Sequence, residues 1–107
     1  VLRDLGQLQE AELSYRKAIE INPDHAKAYS NLGTILKDLG QLKEAESSQR
    51  KAINIKPDYV EAHYNLGVVL NDLGKFKEAR LSSEKIMSLR SWSILGSYSF
   101  NREMKLD

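Results

Sequence analysis

The residues of this chain that could perform chemistry are few and poorly placed for it. The two histidines, His25 and His63, lie in different stretches and have no partner at metal-ligand spacing. Cysteine is absent, which removes thiolate catalysis, disulfides and cysteine-bound metals together. Serines are plentiful, yet none sits in a Gly-x-Ser-x-Gly elbow, and no glycine-rich phosphate loop follows a strand pattern. The carboxylate pairs Glu10/Glu12 and Glu44/Glu46 open helical patterns, where acids complement the helix dipole and need no catalytic role. The expectation is no enzyme, no catalytic residue, no metal and no cofactor. What remains is hydrogen bonding. Asn31 and Asn65 stand 34 positions apart, and a side-chain amide both donates and accepts. A row of such amides can hold an extended peptide by its backbone, whatever its side chains.

The interval of 34 runs through most of the chain: Gly6, Gly40 and Gly74, Ala11, Ala45 and Ala79, and Pro23 and Pro57 all recur at it. A period of this length signals stacked helical hairpins rather than a closed globule. Within residues 26–59, Tyr29, Leu32, Ile35, Leu36 and Leu39 form one helical stripe and predict a first helix, A. Gly40 tolerates the left-handed conformation that closes a helix, and Leu42, Ala45, Ala52, Ile53 and Ile55 then form the stripe of a second helix, B. Lys56-Pro57-Asp58 ends helix B, because proline cannot continue the hydrogen-bond ladder and disfavours helical geometry just before it. Asp58 reads as the cap of the next helix, with Glu61 completing a capping box, and Asp24 repeats the cap without the glutamate. Gly33 and Gly67 in the A helices, with the three alanines in the B helices, mark close approaches. A mid-helix glycine costs about 1 kcal/mol against alanine, so two at matching phase imply a packing reason.

A chain of 107 residues suits one domain with a core of limited aromatic content. Its net charge of +1 arises from 16 basic and 15 acidic residues spread through every repeat. That distribution carries no strong electrostatic footprint, so neither nucleic acid nor membrane is expected as a partner. No apolar run reaches the roughly 18 residues of a spanning helix, and no charged-then-apolar leader opens the chain. A cytoplasmic location is the expectation. The chain opens at Val1 inside a repeat and is read as a piece of a longer protein.

Tyr29-x2-Leu32-Gly33-x2-Leu36 with Ala45, Ala52 and Pro57, and His63-x2-Leu66-Gly67-x2-Leu70 with Ala79, resemble the tetratricopeptide repeat (TPR). The resemblance implies an all-α fold, a right-handed α-solenoid of antiparallel helix pairs with an irregular C-terminal capping segment. About two and a half repeats are expected over residues 1–87, partial at 1–25, complete at 26–59 and degenerate at the end of 60–87, before a divergent tail at 88–107. His63 occupies a position where the family carries Trp and is read as core packing. The family's aromatic after Ala-x3 is Gln49 in the second unit and Ser83 in the third, a loss of apolar contact worth about 1.5 to 3 kcal/mol each when fully buried. Marginal stability is therefore expected. Ile86 follows Ala18 and Ala52 at a small position, which predicts that the regular stack stops there. In the tail, Trp92-x2-Leu95-Gly96 copies the start of an A helix, while Trp92, Ile94, Tyr98 and Phe100 alternate with polar residues as a half-buried strand would. The tail is either a capping helix over the last B helix or the first strand of a further domain.

By the family's phase, the A helices line a concave groove, and this face takes Lys27, Ser30, Asn31, Thr34, Lys37 and Asp38 from one unit. Glu61, Tyr64, Asn65, Val68, Asn71 and Asp72 come from the next, with Arg3 and Asp4 from the truncated first. The resemblance implies a protein-protein interaction module that binds a peptide or partner protein in this groove. Asn31 and Asn65 are similar to the asparagine ladder in the repeats of O-linked N-acetylglucosamine transferases. The carboxylate clamp of related co-chaperones needs lysine and asparagine where Ser30, Thr34, Tyr64 and Val68 stand, so binding of chaperone tails is not expected. Two other readings remain: a targeting arm of a larger glycosyl- or sulfotransferase-type enzyme, and a homodimer formed by end-to-end stacking.

Overall fold

The computed structural model describes residues 2–90, and they are helix and turn throughout. Four helices, α1 (Leu2–Ile21), α2 (Ala26–Asp38), α3 (Leu42–Ile55) and α4 (Val60–Asp72), are followed by a fifth, α5, over 76–90. Helix α2 packs on both α1 and α3, and α3 packs on α4. In addition α2 meets α4, whereas α1 and α3 make no such approach. The A helices α2 and α4 thus close the inner side of the stack, and the B helices α1 and α3 stand apart on the outer side.

The glycine turns form as the sequence implies. Gly40 and Gly74 have φ of +82° and +80°, the left-handed region that favours glycine. At the first, Gly40 N donates to Lys37 O and Gln41 N to Leu36 O. Gly74 and Lys75 repeat the pair on Asn71 and Leu70. This double bond is the Schellman closure of an α-helix. Gly6 shares their phase but makes no turn, and α1 runs straight through it. At Gly40 the turn is held because Leu32 and Leu36 ahead of it are buried against Ala45 beyond it. Arg3 and Asp4 belong to α1 and not to an A helix.

The helix caps also fall one residue later than expected. Asp24 and Asp58 are not N-caps, because each sits with its proline at the centre of a turn, closed by His25 N on Asn22 O and by Tyr59 N on Lys56 O. The caps are His25, whose Nδ1 accepts the Ala28 N–H at 3.1 Å, and Tyr59, which makes no side-chain cap bond.

Two apolar clusters hold the stack. Leu32, Leu36, Ala45 and Val69 form the first, covered by Tyr15, Ile19, Leu42 and Leu73, and Leu66, Leu70 and Ala79 form the second with Ile53. His63 is a core residue, as expected, and its Nε2 lies 2.7 Å from the Pro57 carbonyl. A carbonyl can only accept, so this nitrogen carries the proton. Helix α5 continues through Ile86 to residue 90 without a break. Of the tail at 88–107, residues 88–90 belong to α5, and the rest, 91–107, on which the readings as capping helix or strand turn, lies outside the described residues. No described helix is long and apolar enough to cross a membrane.

Candidate peptide-binding face

The inner face is built on a chain of hydrogen bonds that crosses three helices. Gln49 of α3 is completely buried, and its Nε2 donates to the Ser30 carbonyl of α2 at 2.8 Å. Ser30 Oγ donates back to Gln49 Oε1 at 2.8 Å and accepts from Asn65 Nδ2 of α4 at 3.3 Å. Thr34 Oγ1 donates to the same Ser30 carbonyl at 3.2 Å. The residue that lacks the family's ring is therefore not an empty place in the core. An amide occupies it, with both ends satisfied, which is the condition for burying one without penalty.

This network decides which predicted groove residues can meet a ligand. Ser30 cannot, since it is 1% exposed and its hydroxyl is committed to Gln49 and Asn65. Asn65, half-buried, has one amide proton directed at Ser30 and keeps its carbonyl oxygen. Asn31, Thr34, Lys37 and Val68 are half-buried, and Lys27, Asp38, Glu61, Tyr64, Asn71 and Asp72 are exposed. The two asparagines are thus unequal rungs: one is a tie between neighbouring hairpins, the other is not hydrogen-bonded that way.

Glu61, Tyr64 and Asn65 come together around a shallow depression of about 380 Å³, completed by Val60, Ile86 and Arg90. Lys27, Lys37, Asp38, Asn71 and Asp72 lie elsewhere along α2 and α4 and do not border it. Arg90 and Ile86 were not among the expected site residues. The signal for Ile86 was present in its bulk at a position filled by alanine one and two periods earlier. Tyr64, 62% exposed, is the large apolar surface of the depression, and Glu61 and Arg90 set opposite charges at its edge. Nearby, burial raises the Tyr59 phenol above its ordinary value, and the charge of Glu61 and its hydrogen bond add to the shift.

Models of known families match the chain as "TPR repeat" over residues 1–40 and 33–74 and as "Tetratricopeptide repeat" over residues 60–91. The chain belongs to the tetratricopeptide repeat family. Only these repeats are matched along it, and no curated protein matches the sequence. Solved TPR structures resemble it in fold and in sequence. Against the crystal structure of MamA the TM-score is 0.78 at 26% identity, over 82% of this chain and 52% of that one. The chain thus spans about half the length of MamA. Against the first TPR of Spaghetti (RPAP3), solved with the HSP90 peptide SRMEEVD, the TM-score is 0.76 at 25% identity, over 78% of this chain and 67% of that one. The second TPR of the same protein, bound to the same peptide, gives 0.75 at 25% identity, with 78% of each chain covered.

Proposed function

We propose that this TPR chain is a recruitment module that holds a peptide or protein segment on its inner face, around Tyr64 and Asn65, and carries out no reaction of its own. The observation that carries this reading is the combination at the depression: a largely exposed tyrosine ring beside a half-buried amide, with Glu61 and Arg90 at the rim. A ring supplies apolar contact at low entropic cost, and an amide oxygen can accept from a peptide backbone. Peptide binding by the Spaghetti TPR structures supports the same use of the fold.

The segment recognised here differs from one gripped by its terminal carboxylate. Ser30 is sealed against Gln49, Thr34 bonds to its own helix, and Tyr64 and Val68 offer no cation. The expected ligand is an internal segment, held with modest affinity because the face offers few aromatic anchors. The test is co-precipitation with the full chain beside its Tyr64→Ala and Asn31→Ala variants, both truncations at sites the core does not use. Loss of the captured partner with Tyr64→Ala is the expected result. Unchanged capture with both variants overturns the assignment to this face, and a preference for the free acid of a peptide such as SRMEEVD over its C-terminal amide overturns the exclusion of a clamp.

A further inference from the structure

The outer side carries two open grooves that repeat one another at the period of the sequence. One of about 610 Å³ lies between α1 and α3, and one of about 510 Å³ between α3 and α5. Tyr29, Leu32 and Leu36 of α2 floor the first, and His63, Leu66 and Leu70 of α4, each one period later, floor the second. On the rims, Arg16, Ser48 and Lys51 return as Arg50, Ser82 and Lys85. The floors are apolar and the rims are basic. The carboxylates that line the grooves, Glu44 and Glu78, are each engaged by the arginine opposite, Arg16 Nη2 at 3.4 Å and Arg50 Nη2 at 2.8 Å. Lys43 and Lys51 on the first groove and Lys85 on the second have no ion pair among the described residues.

From this we infer that the outer face docks an extended acidic protein segment, which places one apolar side chain in each groove and sets its carboxylates against Lys51 and Lys85. Charge complementarity selects the sign of the occupant, since Arg16, Lys43 and Lys51 face the single carboxylate Glu44 in the first groove and Arg50 and Lys85 face Glu78 in the second. The half-buried Tyr29 of the first groove and the exposed Leu81 of the second select a peptide over a polyanion, which has no apolar side chain to cover them. Helix α3 separates the grooves, and a helix with its side chains is about 10–12 Å across. An extended chain advances about 3.3 Å per residue and turns alternate side chains to opposite faces, so the two apolar residues stand about four positions apart. This surface is distinct from the inner face proposed above, and either assignment can fail alone.

The probe is a fluorescein-labelled, end-blocked peptide of glutamates with two leucines four positions apart, titrated against the full chain by anisotropy. Joint Lys51→Glu and Lys85→Glu substitution is expected to weaken binding about tenfold, because opposed rim charges become like charges. The milder Lys51→Gln, Lys85→Gln pair weakens it less, in the same direction, and Tyr64→Ala leaves it unchanged. Replacing the leucines of the probe by glycine abolishes binding. The inference is overturned by no saturable binding, by indifference to the lysine changes, or by loss with Tyr64→Ala. It is equally overturned if polyuridylate or the leucine-free peptide binds as tightly.

Discussion

The hairpin α2–α3 and the hairpin formed by α4 and α5 descend from one pattern yet end in different states. In the first, Ser30 and Gln49 are buried together, and Gln49 presses on Gly33 so closely that an added Cβ would lie 2.5 Å from its Nε2. In the second, the equivalent residues are Tyr64 and Ser83, both exposed, and a Cβ on Gly67 would meet Ser82 Cβ at an ordinary 3.5 Å. The glycine is thus required in one hairpin and merely tolerated in the other. What differs is the neighbour. Helix α4 covers Ser30 through Asn65, whereas the corresponding surface at Tyr64 borders an open depression. The shared pattern specifies a helical hairpin, and a few positions off the pattern specify whether its inner end is sealed or available.

The comparison breaks most visibly at Gln49. Truncation to alanine removes two buried hydrogen bonds and leaves a void beside Gly33, at an expected cost of about 2 to 3 kcal/mol, while Ser83→Ala changes stability by less than about 0.5 kcal/mol. Urea unfolding followed by circular dichroism measures both, and equal losses would mean the buried amide is not what separates the hairpins. A smaller contrast is expected from the glycines. Gly33→Ala forces Gln49 off its partners, and the strain outweighs the gain in helix propensity to leave a net loss of about 1 to 2 kcal/mol. Gly67→Ala has room and stabilises by up to about 1 kcal/mol. A Gly33→Ala, Gln49→Ala double variant that is more stable than the sum of the single losses would locate the clash between these two residues.

The least effect concerns the tie between the hairpins. Partial burial alone would raise the Glu46 carboxyl, but hydrogen bonds and charges from Arg50 and Lys75 outweigh it and hold the carboxyl below its ordinary 4.5. A carboxyl lowered in the folded state stabilises fully above its unfolded value and loses that contribution as pH falls through the lowered one. Melting between pH 5 and about pH 3 should therefore show Glu46→Gln losing its disadvantage against the parent chain, a difference of under about 1 kcal/mol for so exposed a set of partners. A gap that stays constant over this range would show that the ion pairs do not link the hairpins energetically.

Much of this architecture was legible in the residues. The recurrence of Gly40 and Gly74, the A and B stripes, and the burial of His63 all follow from local geometry that repeats, because each turn and stripe depends on residues within a few positions. The failures share a different cause. The turn at Gly6 needs a packed helix ahead of it, so its phase alone was insufficient. Asp24 and Asp58 have cap chemistry but are drawn into the proline turn, and the cap shifts by one. Ser30 looks like a polar groove residue until Gln49, 19 positions away, is known to bond it. Residues of the inner face are sorted into sealed and open by such long-range pairs, and a repeat pattern carries no record of them.

The separation of α1 from α3 gives the array two edges of unequal stiffness. The edge along α2 and α4 is knit by apolar contact and sheltered hydrogen bonds, which dissolved ions barely touch. Its opposite edge is bridged from Arg16 to Glu44 and from Arg50 to Glu78 through pairs that sit in water, and such pairs fade within a screening length of about 8 Å at physiological ionic strength. Added electrolyte should therefore loosen the outer edge before the inner one.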